Sequence, residues 1–268
     1  MNPADVLRLA AGLSESGEGY VLCTVVEAAG SMPGRPGFKL LVCANGETRG
    51  TVGGGNVERV VTQKARELLQ DGGTALLTYT LTEDADGLGM ACGGDIRVFL
   101  EHIPAARRAF LFGAGHLCQA LAPILRSVGF HVVALDDRPG MATIERIPQA
   151  SAFDTVDYAD YAATFSPGSH DAVIIFTHGH GADLDILRTL CARRVDCAYI
   201  GMIGSKRKVA ATFAAIEEQV DDAADWLSRV HAPIGLNVAR TTAAEIAVAI
   251  AAEMLGVYNG VEDVGSLK

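Results

Sequence analysis

The chain has 268 residues, of which 49% are apolar and 20% charged, the composition of a soluble globular protein with one large or two smaller domains. Its net charge of −10 at pH 7 argues against nucleic acid or an anionic membrane surface as the main partner. The sequence shows no apolar run long enough to span a membrane and no signal peptide, so we expect a cytoplasmic protein.

The first half of the chain has the pattern of a small α+β domain. After a short N-terminal helix, β-branched and alternating runs predict strands in YVLCTVVEA, FKLLVCANGETRGTV, TALLTYTL and DIRVFLEHI. A helix is predicted over GGGNVERVVTQKARELLQDGG, where apolar residues recur at 3.6-residue spacing. The loops GSMPGRPG and GTVGGGN offer backbone amides to an anion. Arg35, in the first loop, is either a ligand contact or a surface arginine.

The second half alternates apolar strands with helices, which predicts βαβ units and a parallel sheet covered on both faces. The predicted strands lie in AFLFGAGH, HVVALDD, DAVIIFTHGH and CAYIGMIG. We therefore expect an α/β protein with a small α+β domain over residues 1–105 and a Rossmann-like parallel-sheet domain over residues 106–268.

A glycine turn follows the first predicted strand of the second half. Gly113 and Gly115 occupy the first two glycine positions of a dinucleotide-binding fingerprint, and His116 follows them. Cys118 takes the third position, where it is small enough for helix-on-strand packing. Asp136 ends the next strand at about the distance expected of a ribose-binding carboxylate. The pattern predicts a nucleotide or phosphate site, and the alternative is a turn that only packs.

Polar residues also follow two later strands. His178 and His180 are expected to contact a bound cofactor, although the same pair with Asp183 would suit a metal ion and a simple loop cap is a third possibility. Ser205 is a good helix N-cap, and Lys206 begins a basic first turn that an anion would compensate. The alternative for that turn is a solvated basic face.

One cysteine has unusual neighbours. Cys92 lies in GLGMACGGD, among glycines and not among the bulky apolar residues that surround a structural thiol. The six cysteines form no Cys-x-x-Cys pair, so neither a zinc ribbon nor a structural disulfide is expected. Cys92 is therefore a candidate reactive thiol, and an inert buried cysteine is the alternative. Glu245, three residues after Thr242, is predicted to close a capping box and not to be catalytic.

A series of motifs runs in order along nearly the whole chain: GSMPGRPGFKLLV, GTVGGGNVE, MACGGDIRVFLE, LFGAGHLCQALA, LDDRP, FTHGH, YIGMIGSKRK and HAPIGL, the last followed by AAEIAVAIAAEML. Together they resemble the XdhC/CoxI family, the accessory proteins of xanthine dehydrogenase, carbon monoxide dehydrogenase and related molybdenum hydroxylases. The resemblance implies a small N-terminal domain, a C-terminal Rossmann domain and binding of the molybdenum cofactor.

The resemblance also implies a role and partners. Family members protect or help to sulfurate the molybdenum cofactor and deliver it to an apo-hydroxylase, with a cysteine desulfurase as the sulfur source. That role is a cofactor chaperone and not a metabolic enzyme. On this interpretation Cys92 ligates molybdenum or relays a persulfide sulfur, and the Gly113 turn holds the phosphate of molybdopterin or of its cytosine dinucleotide. Asp136, His178 and His180 line the same crevice.

The sequence departs from the family pattern at three positions. Asn56 stands where many relatives have cysteine, Gly179 separates two histidines where aspartate is common, and Asn237 replaces another aspartate. The first change removes one possible thiol, and the loss of the two aspartates weakens a metal-ligand interpretation. Two other functions remain open: an NAD(P)-dependent Rossmann oxidoreductase with His178 as proton donor, and a nucleotide-sensing module without catalysis. We also expect a homo-oligomer of undetermined subunit number.

Overall fold

Each half of the chain folds around a sheet of its own. The computed structural model describes residues 1–30, 32–81, 94–239 and 241–261. It divides the chain into a first unit, Met1–Ala106, and a second unit, Arg107–Lys268. Cys92 lies outside the described residues.

Over its described residues, the first unit is an antiparallel sheet with two helices. Its five strands are ordered β3-β2-β1-β5-β4, and every paired neighbour runs antiparallel. The elements in chain order are α1 (Pro3–Ser16), β1 (Tyr20–Gly30), β2 (Lys39–Cys43), β3 (Thr48–Gly50), α2 (Gly55–Asp71), β4 (Thr74–Leu81) and β5 (Gly94–Ile103).

The apolar spacing of α2 explains how the first unit is held together. Val57, Val61, Ala65 and Leu68 recur every three or four residues and are all buried. Because such residues share one face of a helix, α2 lies on the sheet with that face inward. They join one cluster with the inward residues of β1, β2 and β5. The opposite face of α2 is left to polar and charged residues.

The second unit is a six-stranded parallel sheet flanked by helices. Its strand order is β11-β10-β9-β6-β7-β8, which is the Rossmann order, with the direction of winding reversing between β6 and β9. The elements in chain order are β6 (Arg107–Phe112), α3 (His116–Ser127), β7 (Phe130–Asp136), β8 (Ala152–Thr155), α4 (Tyr158–Thr164), β9 (Ala172–Ile175), α5 (His180–Ala192), β10 (Tyr199–Met202), α6 (Lys206–Glu217), α7 (Ala223–Leu227), β11 (Val230–His231) and α8 (Ala243–Tyr258).

Both faces of this sheet are covered, as the continuous apolar strands require. Leu111 points into a cluster with residues of α3 and α8, while its neighbour Phe112 points into a second cluster with residues of α4, α5 and α7. Trp226 of α7, the single tryptophan of the chain, is buried in the second cluster. Its indole N–H donates a 2.8 Å hydrogen bond to the carbonyl of Val195.

The predicted fold class, α/β with a Rossmann-like parallel sheet after an N-terminal α+β region, is confirmed. The sequence reasoning missed the two outer strands, β8 and β11. β11 has only 2 residues, and β8 has 4 residues of which two are polar and exposed. Neither therefore shows the continuous apolar run that marks β9 and β10, which have 4 residues each. The predicted capping box of Thr242 with Glu245 and the N-cap at Ser205 are both present. Within the described ranges, no helix is both long and apolar enough to cross a bilayer.

Candidate functional site

The candidate site lies at the edge of the second unit where its parallel strands end. The strands β6, β7, β9 and β10 run in the same direction, so the residues after them meet at one edge, which we term the carboxyl edge. It comprises residues 113–116, 136–138, 177–183 and 203–208. The predicted site residues of the second unit all lie here, while Arg35 belongs to the first unit and Cys92 is outside the described residues.

The turn after β6 contains two glycines. The backbone conformation at the first permits only glycine, while the second has open space around it. Gly113 has φ of 119°, and a Cβ on it would lie 2.5 Å from the carbonyl oxygen of Phe176. No other residue fits there. Gly115 is the N-cap of α3 with an ordinary φ of −78°, and a Cβ on it would meet nothing within 4 Å. His116 beside it is exposed. The start of α3 therefore has open space and no side-chain cap.

Asp136 fixes the position of this turn. Its side chain is fully buried, and its carboxylate accepts a 2.7 Å hydrogen bond from the amide of Ala114. The amide of Arg138 donates at 3.0 Å and its Nε at 2.9 Å, while Nη2 donates at 3.0 Å to the other oxygen. Burial opposes ionisation of Asp136, but the hydrogen bonds from Arg138 and Ala114 outweigh it and lower its pKa. The carboxylate thus has its lone pairs engaged within the protein.

The exposed carboxylate at this edge is Asp137. Its Oδ1 lies 3.5 Å from Nδ1 of His178, and Asp136, Asp137 and His178 bring ligand atoms within 4.8 Å of one another. Such a set could suit a metal ion, but the guanidinium of Arg138 already supplies a cation here, with Nε 2.9 Å from Asp136 and 3.9 Å from Asp137. A metal bound to Asp136 would have to displace that guanidinium.

Tyr158 at the start of α4 also belongs to this cluster. Its hydroxyl is buried and has no hydrogen-bond partner of normal geometry among the described residues, although the amide of Asp137 lies near its oxygen. Burial first, and then the carboxylates of Asp136 and Asp137, raise its pKa. Tyr158 therefore stays protonated, and no described residue accepts a hydrogen bond from its hydroxyl.

The two other residues of the predicted His-His-Asp metal set lie further along the edge. Asp183 is buried and accepts hydrogen bonds from the amide of Thr177 at 2.9 Å and from its hydroxyl at 2.7 Å. Burial raises the pKa of Asp183, and these bonds offset only part of the effect. His180 Nδ1 lies 3.9 Å from Asp183, and its Nε2 contacts Nζ of Lys208. Since His178 is paired with Asp137, the three residues do not form one cluster.

The start of α6 adds positive charge to the same edge. The hydroxyl oxygen of Ser205 accepts a 3.3 Å hydrogen bond from the amide of Lys208, so Ser205 caps the helix as predicted. Lys206 is exposed, and no acidic residue lies in the first turn. Since Lys208 contacts His180, the starts of α5 and α6 are neighbours at this edge.

The glycine loops of the first unit pack on each other. A Cβ on Gly53, whose φ is 127°, would lie 2.6 Å from the amide nitrogen of Gly34. Oε2 of Glu58 accepts a 2.5 Å hydrogen bond from the hydroxyl of Thr51. The same oxygen accepts 3.2 Å bonds from the amides of Val52 and Gly54. Two amides of the second glycine loop, those of Val52 and Gly54, are therefore already bound to a carboxylate.

Arg35 lies in the first of these loops, between β1 and β2, and is exposed. It belongs to the first unit and stays a predicted ligand contact. Cys92 likewise stays a prediction, because it is outside the described residues.

The sequence reasoning did not assign a role to three residues at or beside the carboxyl edge: Asp137, Arg138 and Tyr158. Asp137 and Arg138 had a local signal, because two acidic residues and an arginine at the end of a strand can form an ion pair there. Tyr158 had no signal, since only the fold brings the start of α4 beside the end of β7.

Comparison with known proteins agrees with the two-part fold. The family model described as the XdhC Rossmann domain matches residues 110–254, and the model described as the XdhC and CoxI family matches residues 13–80. A crystal structure of a xanthine dehydrogenase from Bacillus halodurans superposes with a TM-score of 0.52 at 21% identity, covering 100% of this chain and 98% of that one. At that identity the likeness concerns the fold.

Three curated relatives match most of the chain. It is 31% identical to the uncharacterized protein YqeB of Escherichia coli over 95% of its own length, and spans 46% of YqeB. It is 23% identical to a probable xanthine dehydrogenase subunit from Bacillus subtilis, covering 91% of this chain and 94% of that one. It is 24% identical to the molybdenum cofactor insertion chaperone PaoD of Escherichia coli, covering 94% and 87%. Because the Rossmann-domain match alone takes in more than half of its residues, the chain belongs to the XdhC and CoxI family.

Proposed function

We propose that the protein binds the molybdenum cofactor and serves as an accessory factor for a molybdenum hydroxylase of the xanthine dehydrogenase type. In this role it protects the cofactor or assists its sulfuration and delivers it to the apo-hydroxylase. The observation that carries the proposal is the similarity to PaoD, a molybdenum cofactor insertion chaperone, over 94% of this chain. A cysteine desulfurase is the proposed sulfur source, and the cytoplasm is the proposed location.

The carboxyl edge suits the phosphate end of such a ligand. Gly115 leaves open space at the start of α3, where amides of the first helical turn favour a phosphate. Lys206 and Lys208 add positive charge at the start of α6. Asp137 and His178 are exposed polar groups beside the turn and could contact a ribose or the amino edge of a pterin. Asp136 contributes by holding the turn, since its own carboxylate is enclosed.

The described cysteines support Cys92 as the working thiol. Burial raises the pKa of Cys23 and Cys118 to about 12 and that of Cys197 to about 11. Cys191 is buried as well, and burial raises the pKa of half-buried Cys43. A thiol acts as metal ligand or sulfur carrier in its thiolate form, so these five are poorly suited. We assign Cys92 the role of ligating molybdenum or relaying a persulfide sulfur.

The first test is co-purification. The protein would be expressed with an active molybdenum cofactor pathway, and the bound molybdenum and oxidised pterin measured for the wild type, Cys92→Ala and Cys43→Ala. We expect near-stoichiometric pterin in the wild type and loss of metal in Cys92→Ala. Cys43→Ala is the matched control and should keep both, because its thiol is half-buried and has a raised pKa.

The outcomes separate the alternatives. Pterin absent from all three proteins, together with saturable binding of NAD(H) or NADP(H), would replace the proposal with the Rossmann oxidoreductase. Binding of a nucleotide without pterin and without turnover would favour the sensing module. Pterin retained with metal in both variants would remove Cys92 from the site while leaving the accessory role in place.

Delivery needs a separate measurement. The loaded protein would be mixed with a molybdenum-free hydroxylase, and the recovery of hydroxylase activity followed with and without a cysteine desulfurase and cysteine. Sulfuration by this route predicts activity only when the desulfurase is present. Equal recovery without it would restrict the role to protection and transfer.

A further inference from the structure

A polar groove in the first unit lies on the outer side of α2, beside the turn between β2 and β3. It has a volume of about 400 Å³, within the range of small-molecule sites. We term it the α2 groove. The lining side chains that matter to its chemistry are Thr48, Arg59, Thr62, Gln63 and Arg66.

Two arginines give the groove its charge. Arg59 and Arg66 are two helical turns apart, so both face the same side of α2. Nε of Arg59 donates to Oδ1 of Asn56 at 2.9 Å, and Nη2 of Arg66 lies 3.5 Å from the carbonyl of Gly46. These partners are uncharged, and no carboxylate among the described residues forms an ion pair with either guanidinium.

Most other cations of the first unit are paired. Arg8, Arg49, Lys64 and Arg97 each lie within 3.0 Å of a carboxylate oxygen. Two unpaired guanidinium groups on one concave surface are therefore a local feature of a chain whose net charge is −10. The one carboxylate in the lining, Glu58, has Oε2 turned to the loop over Thr51–Gly54.

The remaining lining groups add neutral hydrogen-bonding capacity. The hydroxyls of Thr48 and Thr62 and the side-chain amide of Gln63 can each donate to an oxygen. A guanidinium presents a planar fork of donors that matches a phosphate, and Arg is favoured over Lys for that bidentate contact. A concave surface with these donors fits a phosphate ester better than an apolar ligand.

We propose that the α2 groove binds a small organic phosphate, with Arg59 and Arg66 contacting the phosphate. The volume suits a small molecule, and the net charge of the chain disfavours a nucleic acid polymer. This site is formed by residues of the first unit alone, and it does not depend on the accessory function proposed above.

Arginine modification resolves this site from any other anion site. Inorganic pyrophosphate is the probe, and phenylglyoxal adducts on the full chain would be mapped by mass spectrometry with and without it. We expect pyrophosphate to slow modification of Arg59 and Arg66 by about fivefold or more and to leave Arg8 and Arg97 unchanged. Equal rates at Arg59 and Arg66 with and without pyrophosphate would overturn the proposal.

Calorimetric titration with variants gives the second measurement. Arg59→Gln combined with Arg66→Gln should weaken pyrophosphate binding at this site about tenfold or more, as expected when charge-assisted hydrogen bonds are lost. The matched control combines Lys64→Gln, on the same helix, with Arg97→Gln, and removes the same charge outside the groove. It should bind within about twofold of the wild type. Equal weakening in both double variants would mean a general effect of net charge and would also overturn the proposal.

Discussion

Both units hold a glycine-rich loop in place with a carboxylate, but the two carboxylates differ in how their charge is met. In the first unit, Glu58 of α2 accepts hydrogen bonds from a hydroxyl and two amides of the loop over Thr51–Gly54. In the second unit, Asp136 accepts a hydrogen bond from the amide of Ala114 and also forms an ion pair with Arg138.

The difference follows from burial. Asp136 is fully buried, and an unpaired charge there would be far costlier than hydrogen bonds to amides can offset. Glu58 is only partly buried, so water shares in solvating it. The same loop-holding contact therefore needs a cation at the carboxyl edge of the second unit and does not need one in the first.

We expect the largest effects from variants that test a feature common to both loops: each has a glycine whose backbone is packed too closely for a side chain. Gly113→Ala and Gly53→Ala each place a Cβ within 2.6 Å of a backbone atom at positive φ. Strain and overpacking together should lower the free energy of unfolding by about 4 kcal/mol. Urea unfolding followed by circular dichroism measures this. A loss below about 1 kcal/mol in either variant would mean that its loop relaxes.

The carboxylates themselves should separate the two units. Asp136→Asn leaves the guanidinium of Arg138 without its partner and should cost about 3 kcal/mol, toward the lower end for a broken buried pair because Arg138 is partly exposed. Glu58→Gln keeps an acceptor oxygen for the loop and should cost about 1 kcal/mol. Asp137→Asn is the control for the charge change at the same edge. Equal losses for Asp136→Asn and Glu58→Gln would remove the proposed importance of the cation.

The pH dependence of stability tests whether the cation matters, because the carboxyl edge has two buried aspartates and one of them is paired with an arginine. Asp136, paired with Arg138, has a lowered pKa in the folded state, so its stabilisation is complete above the unfolded value near 3.9 and is lost as pH falls through the folded value. Burial raises the pKa of Asp183, whose hydrogen-bond donors among the described residues are the amide and hydroxyl of Thr177. Its contribution to stability is therefore lost as pH rises from the unfolded pKa through the folded one.

The two asparagine variants should therefore change in opposite directions. Relative to the wild type, the deficit of Asp136→Asn should shrink as pH falls below about 4, while Asp183→Asn should gain stability as pH rises above about 4. Urea unfolding at pH 3 to 6 measures both. Parallel curves for the wild type and Asp183→Asn would contradict the assigned effect of burial.

The smallest effect on stability is expected at Gly115. A Cβ there meets nothing within 4 Å and φ is −78°, so Gly115→Ala should change the free energy of unfolding by about 0.5 kcal/mol. If the open space holds a phosphate, the same variant should bind the cofactor less tightly, which pterin co-purification measures. Unchanged pterin content would place the ligand away from the start of α3.

The Rossmann core was predictable because its strands are mostly apolar and are separated by helices, while β8 is half polar and β11 has only 2 residues. Local rules also predicted the caps at Ser205 and Thr242, since a cap depends on residues close in sequence. The pairing of β1 with β5 joins residues some seventy positions apart, and such pairings are fixed only when the whole sheet forms.

The sequence predicted which loops form the site, but it did not predict which side chains in those loops contact one another. The sequence indicated Asp136 as a ligand-facing acid, whereas burial and the adjacent Arg138 give it a role in holding the turn. Exposure and pairing depend on the packed neighbours, so they cannot be read from the spacing of residues. Tyr158 shows the same limit, because its nearness to Asp136 and Asp137 arises only from the packing of α4.

The position of the single tryptophan gives the two units different optical signals. Trp226 is buried in the second unit, while tyrosines occur in both, so indole emission reports on the second unit alone. Exposure of the indole to water on unfolding should shift that emission to longer wavelength at the denaturant concentration where the second unit unfolds. Far-ultraviolet dichroism reports on the whole chain, and a gap between the two midpoints would measure how independently the first unit unfolds.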